Sequence, residues 1–148
     1  MHIPIRVDYG VRALVDLAQH GEDGPVRAAD IARRKVIPEP YLVQLLHSLS
    51  KSGIVRSQRG PQGGHSLAKD TPDIRLSMVM ECLEGTETVV GCLEDAASCI
   101  HVPACAQRDV WRAVQEAIYD ILDSTTIAHL VERTREIEAG KVQPLEVR

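Results

Sequence analysis

Two neighbouring patterns restrict the fold of this 148-residue chain: a leucine-rich helix pattern and a glycine-rich turn that follows it. The helix has Pro40 in its first turn and Gly53 at its end. Its apolar residues follow the i, i+3, i+4, i+7 spacing of an amphipathic helix: Leu42, Leu45, Leu46 and Leu49. After this helix, the sequence predicts a strand over residues 54–59, a turn over 60–64 and a returning strand over 65–68. A helix and a hairpin in this order are typical of a winged helix.

Two further helices are predicted before the leucine-rich helix. The first runs from about Val7 to Gly21, and a short second helix runs from about Ala28 to Lys35. The second and third helices, joined by a turn and with a polar outer face on the third, form the pattern of a helix-turn-helix. We therefore predict a mainly α fold with a small β-hairpin wing, in which residues 1–84 are a winged helix-turn-helix DNA-binding domain.

The charge of the chain divides at the same place. Residues 1–75 contain 11 basic and 8 acidic side chains, a net charge of +3, whereas residues 76–148 contain 6 and 13, a net charge of -7. Such asymmetry favours a polyanion as the partner of the first half. Three glycines in the turn allow close approach of a phosphate backbone, and Arg59 beside them is a candidate for the minor groove.

These residues resemble a known family. The segments YLVQLL (41–46), SGIV (52–55) and RGPQGG (59–64), with VDYGVRAL (7–14) and STTIAHLV (124–131), are similar to the bacterial winged-helix regulators typified by IscR, NsrR and CymR. The resemblance spans about residues 3–131. It implies a homodimer on a partly palindromic double-stranded DNA operator, with the third helix in a major groove and the wing along a minor groove. It also implies these DNA-binding residues: Tyr41, Gln44, Ser48, Lys51, Arg59, Gly60, Pro61, Gly63, Gly64 and His65, the last in place of the usual tyrosine.

Three cysteines, Cys92, Cys99 and Cys105, fall in a segment over 85–106 that shows no helix or strand period, which we call the cysteine loop. Their spacing lets a loop wrap three thiolates around an iron–sulfur cluster, and the Cys-x2-Cys pairs typical of structural zinc are absent. A zinc site with His101 as fourth ligand is the alternative, followed by reversible disulfide chemistry. Cys82, on the fourth predicted helix, is interpreted as a small core residue.

The fourth ligand of such a cluster is suggested by the resemblance alone. IscR has a histidine three residues after its last cysteine, where this chain has Arg108. The resemblance to NsrR implies Asp8 of the opposite subunit instead, and the alternative role of Asp8 is to pair with Arg12. Further alternatives for the fourth ligand are Glu87, Glu94, Asp95 and His101. Because the histidine is missing, a 4Fe-4S cluster is preferred over a 2Fe-2S cluster.

A long amphipathic helix is predicted over about residues 108–123. Its aliphatic face has the following residues: Val110, Val114, Ala117, Ile118, Ile121 and Leu122. The winged helix is complete without this face, so we predict that it forms a homodimer. A final helix, capped near Ser124 or Thr125, is expected to pack on the core, so that residues 107–140 form the dimerisation and packing helices and 141–148 a flexible tail.

Several classes of protein are disfavoured. We find no nucleotide-binding loop, nucleophile motif or catalytic His–Glu pair, so we expect neither an enzyme nor a small-molecule substrate. Without a membrane span or signal-peptide core, the protein is expected in the cytoplasm. The sequence predicts a transcription regulator switched by an iron–sulfur cluster that senses iron, redox state or nitric oxide. The alternatives are a winged-helix regulator with zinc or redox-active thiols and, less favoured, a metalloprotein that does not bind DNA.

Overall fold

The computed structural model of the protein describes residues 2–86 and 88–142. In this part of the chain, helices and one antiparallel hairpin follow one another as α1 (Ile5–His20), α2 (Ala28–Lys35), α3 (Glu39–Lys51), β1 (Val55–Gln58), β2 (Gly64–Leu67), α4 (Leu76–Glu84), α5 (Gly91–Glu94), α6 (Ala106–Ser124) and α7 (Ile127–Glu138). Three 3-10 turns lie at Thr71–Asp73, Ala96–Ser98 and Val102–Ala104. The predicted fold class, mainly α with a two-stranded hairpin, is confirmed.

The core lies where α1 is packed by α2, α3, α4 and α7. The predicted leucine stripe of α3 is buried there, together with residues from the neighbouring helices: Leu14, Ile31, Val79 and Ile127. Helix α1 approaches α4 closely at Gly10, where an added Cβ would lie 2.5 Å from the Leu83 Cδ1 atom. Because α7 contributes Ile127 and Val131, the expectation that the last helix packs on the core is confirmed.

A partly buried ion pair joins α2 to α1. The Arg34 guanidinium donates from Nε to Asp16 Oδ1 at 3.0 Å and from a terminal nitrogen to Oδ2 at 2.7 Å. The Asp16 side chain is fully buried, whereas Arg34 is 30% exposed. The hydrogen bonds to Asp16 raise the pKa of Arg34 above its usual value. This two-point contact fixes α2, the first helix of the helix-turn-helix, against the core.

The hairpin pairs Val55 with Leu67 through to Gln58 with Gly64. The strands are shorter than the predicted 54–59 and 65–68, and Gly64 belongs to β2 rather than to the turn. Its second strand also pairs with Val26, whose amide donates to the His65 carbonyl at 2.8 Å. The hairpin is thus attached to the segment before α2.

The cysteine loop is more structured than predicted. In place of an irregular segment, it contains the short helix α5 and the 3-10 turns at Ala96–Ser98 and Val102–Ala104. Elements of three or four residues make only about one turn, so no hydrophobic pattern can repeat within them and reveal them in the sequence. Helix α6 begins at Ala106, directly after Cys105.

Two smaller predictions also need correction. The last helix is capped by Thr126, whose hydroxyl accepts from the His129 amide in a capping box, and not by Ser124 or Thr125. Cys82 packs against the core but is only partly buried. Its sulfur lies 3.0 Å from the Ser52 hydroxyl, because Cys82 faces the end of α3.

Candidate functional site

The outer surface of α3 and the hairpin form one candidate site, which we call the reading surface. Gln44 and Lys51 are exposed on α3, while Ser48 is half-buried and donates to the Gln44 carbonyl at 3.2 Å. Arg59, Gly60 and Pro61 are exposed at the turn of the hairpin. The structure therefore leaves most of the residues expected at DNA accessible, with hydrogen-bond donors on the helix and a cation at the turn.

The glycines of the turn have a structural role inside the hairpin. Gly60 adopts a φ of +106°, in the region that favours glycine. A Cβ at Gly63 would lie 2.3 Å from the Gln58 carbonyl oxygen, and one at Gly64 would lie 2.6 Å from that of Val26. The tight turn accounts for Gly60 and Gly63, and the close approach of Val26 accounts for Gly64, without any contact to a ligand.

His65 lies half-buried on β2, and its Nδ1 atom is 3.0 Å from the Ser57 hydroxyl. Burial lowers the pKa of His65 below its ordinary value, which favours the neutral imidazole. It therefore contributes a neutral polar group to the hairpin. The positive charge of this surface comes from arginine and lysine.

Arg27 is a residue that the sequence did not single out. Its guanidinium donates to the Pro61 carbonyl at 2.9 Å and so ties the turn of the hairpin to the start of α2. The contact spans 34 residues, and no local pattern signals it. Arg27 therefore adds a side-chain contact to the backbone pairing of Val26 with His65 that attaches the hairpin.

The second candidate site is an open hollow of about 800 Å³ between the cysteine loop and the start of α6, which we call the cysteine hollow. All three loop cysteines line it, as do these residues: His101, Arg108 and Trp111. The thiols are free and partly buried. The structure therefore brings the sequence-predicted thiols to one cavity.

Two side chains of α6 hold the backbone of the loop. The Arg108 guanidinium donates twice to the Cys92 carbonyl, at 3.2 and 3.1 Å, and Gln115 Oε1 accepts from the Val89 amide at 3.0 Å. Arg108 thus has a structural role at the position where the resemblance implies a histidine. Neither contact was expected from the sequence.

Thiolates are soft ligands of the type that hold iron–sulfur clusters, so the three cysteines that line the hollow suit such a cluster chemically. Within residues 2–86 and 88–142, no three Cys, His, Asp or Glu groups lie close enough to share a metal ion. Binding would therefore require the loop to draw its thiols together. Among the alternative ligands, His101 lines the hollow. Asp95 caps the turn at Ala96–Ser98 by accepting from the Ala97 amide at 2.9 Å. Glu94 is exposed, and Glu87 lies outside the described residues.

Asp8 lies on α1 and pairs with Arg12 at 2.7 Å. The Arg12 guanidinium lies over the Tyr9 ring, 5.5 Å from its centroid, and the Tyr9 ring meets the Tyr41 ring edge-on at 5.9 Å. Tyr41 belongs to α3. The structure thus has the Asp8–Arg12 pair that was the alternative reading, and this pair contacts a residue of the reading surface through one aromatic ring.

No helix in the described part of the chain is long and apolar enough to cross a membrane.

The chain resembles known proteins over nearly all of its length. Protein rrf2 of Nitratidesulfovibrio vulgaris is 37% identical over 131 residues, covering 88% of this chain and 87% of that protein. The transcriptional regulator IscR of Pectobacterium carotovorum is 32% identical over 148 residues, covering 100% of this chain and 90% of that protein.

Solved structures agree with the sequence relatives. IscR of T. potens superposes with a TM-score of 0.74 at 33% identity, covering 99% of this chain and 94% of that one. CymR, the global cysteine regulator of B. subtilis, gives a TM-score of 0.76 at 31% identity, covering 90% and 98%. The Rrf2 family model, described as an iron-dependent transcriptional regulator, matches residues 3–133. The chain therefore belongs to the Rrf2 family of transcriptional regulators.

Proposed function

We propose that the protein is a homodimeric DNA-binding regulator whose operator affinity is switched by an iron–sulfur cluster bound to Cys92, Cys99 and Cys105. The observation that carries this proposal is that all three loop cysteines line one hollow beside α6. When bound, such a cluster supplies a centre sensitive to iron supply, redox state or nitric oxide. The protein residues then have two tasks: to hold the cluster and to relate its presence to the reading surface.

The reading surface supports the DNA-binding part. Gln44 presents an amide that can pair with an adenine edge, and the hydroxyl groups of Tyr41 and Ser48 are suited to phosphate oxygens. Lys51 and Arg59, both exposed, supply the salt-dependent attraction to the DNA backbone. The glycine turn, held by Arg27, would place Arg59 along the groove beside α3.

Helix α6 supports the dimer. None of its 19 residues is buried, although one side of it is aliphatic. Val110 is 56% exposed and Ile121 is 65% exposed. An apolar stripe of this length favours a second copy as its partner, and a two-fold dimer supplies the paired reading helices that a palindromic operator needs.

The contacts of Asp8 support a route between cluster and DNA. As a cluster ligand from the opposite subunit, Asp8 would exchange its ion pair with Arg12 for a bond to iron. Arg12 also contacts Tyr9, which packs on Tyr41 at the start of α3. Ligation would therefore change the support of the reading helix, which gives a coupling between the two sites.

Anaerobic purification tests the cluster. We expect brown protein with visible absorbance and quenched emission from Trp111, the single tryptophan, which lines the cysteine hollow. Replacing Cys92, Cys99 or Cys105 by alanine should remove the absorbance and restore the emission. Cys82→Ala is the matched control, because Cys82 lies against α3 instead of at the hollow, and it should retain both signals.

A colourless anaerobic protein with one zinc per chain would contradict the cluster. It would support the alternative of a zinc site, which the position of His101 at the same hollow favours. Colourless protein free of metal would leave the thiols themselves as the sensing groups.

Asp8→Ala tests the fourth ligand. If Asp8 ligates iron, the visible spectrum should shift and the cluster should be lost faster in air, since one of its four protein bonds is missing. Asp30→Ala is the control, because Asp30 forms a similar exposed pair with Arg33 on α2. A spectrum of Asp8→Ala identical to that of the parent would assign Asp8 only to the pair with Arg12.

A further inference from the structure

One exposed position in the first half of α3 carries an aliphatic side chain where a solvated helix would carry a polar one. Val43 is 47% exposed on α3, although the leucines on the other face of this helix are buried. Val36, in the turn before α3, is 81% exposed. Pro38 and Pro40 are exposed between them. Exposed apolar side chains therefore lie at the start of α3 and in the turn before it, an edge of the reading surface.

The conformation of Val36 adds a second observation. Its φ is +54°, a left-handed conformation that a β-branched residue rarely adopts and that costs on the order of 1–2 kcal/mol. Asparagine or glycine would adopt it at lower cost. An exposed valine here contributes nothing to the core, so neither packing nor backbone geometry explains the apolar side chain.

The charged residues near Val43 limit which DNA bases this part of α3 can contact. Residues 36–50 contain no lysine or arginine, the side chains that most often read guanine, and Glu39 adds a negative charge. The exposed Gln44 follows Val43 directly, and its amide matches the N6 and N7 atoms of adenine. The thymine C5 methyl is the apolar group that the major groove presents, and it belongs to the same base pair.

We infer that Val43 and Gln44 together read a thymine–adenine pair, with the Val43 side chain packed on the thymine methyl and Gln44 bonded to adenine. This inference rests on the proposed DNA binding and adds the specificity of that surface. Val36 extends the apolar contact toward the neighbouring base or sugar. Lys51, at the other end of α3, contacts the phosphate backbone and carries no preference for thymine.

The test begins with selection from a random duplex library, using the wild-type protein. Each thymine of the enriched half-site is then replaced in turn by uracil, which lacks only the methyl group. At the contacted position we expect affinity to fall about four-fold, the effect of exposing roughly one buried methyl group. Uracil outside the half-site is the control on the DNA and should leave the affinity unchanged.

The thymine and uracil duplexes are then compared in the same way with the Val43→Ala variant. This exposed substitution leaves the core intact, and the variant should bind the thymine and uracil duplexes with equal affinity. An enriched half-site without a thymine–adenine pair, uniform tolerance of uracil, or an unchanged uracil penalty in Val43→Ala would each overturn the inference while leaving DNA binding in place. Failure to enrich any sequence would instead contradict the proposed function, and the inference with it.

Discussion

Replacement of Arg34 by methionine should lower the free energy of unfolding by about 3 kcal/mol. The substitution keeps most of the aliphatic stem of Arg34 but removes both hydrogen bonds to Asp16. The Asp16 carboxylate is fully buried, so it would lose its guanidinium partner, and the His20 Nδ1 atom, 3.5 Å from Asp16 Oδ1, would remain beside it. Urea unfolding at pH 7.5 and a fixed protein concentration measures the loss, because the stability of a dimer depends on concentration.

The neighbouring arginine provides the control. Arg33 pairs with Asp30 on the exposed side of α2, where an ion pair contributes little, so Arg33→Met should cost less than about 0.5 kcal/mol. Combining Arg34→Met with Asp16→Leu removes the carboxylate that has lost its guanidinium partner, and it should recover most of the lost stability. A double variant as unstable as Arg34→Met alone would show that the ion pair is not the cause.

The winged-helix part of the chain could be predicted because its elements carry repeated local signals. The leucines of α3 mark one face over about two turns, and glycines mark the end of that helix and the hairpin turn. The ion pair of Asp16 could not be predicted. Its two residues are 18 apart in sequence, so no local pattern links them.

The cysteine loop shows a different limit. The spacing of the cysteines indicated that they could converge, and all three line one hollow. The side chains that hold the loop in place could not be predicted from the sequence, because Arg108 and Gln115 bond to backbone atoms that are 16 and 26 residues away. A bond from a side chain to a distant carbonyl or amide imposes no residue type on the second position, so it leaves no trace in the sequence there.

Asp8 shows how one residue can satisfy two interpretations. Its spacing from Arg12 is the i, i+4 spacing of a surface ion pair, and the structure has that pair. The same pair lies one aromatic contact from α3. A local pattern identified the bond, whereas only the packing of Tyr9 on Tyr41 connects it with the reading surface.

Ile121→Glu in α6 should convert the proposed dimer to a monomer and weaken binding to a palindromic operator by at least about a hundred-fold, because the two half-sites would no longer be held by one molecule. Ile121 is 65% exposed in the single chain, so the substitution leaves the core of the monomer unchanged. In the proposed dimer, the same position would bury an unpaired carboxylate. Sedimentation against the 16.3 kDa chain mass reports the assembly, and a duplex with a single half-site reports the intact reading surface.

Arg112→Glu is the matched control, since Arg112 lies nine residues before Ile121 and so on the opposite side of the helix at 100° per residue. It introduces the same side chain on a polar face and should leave the dimer and its operator affinity intact. A monomer in both variants would indicate that added negative charge, and not the apolar stripe, controls assembly. A dimer that persists in Ile121→Glu would place the subunit contact away from α6, and the exposed stripe with Val110 would then need another partner.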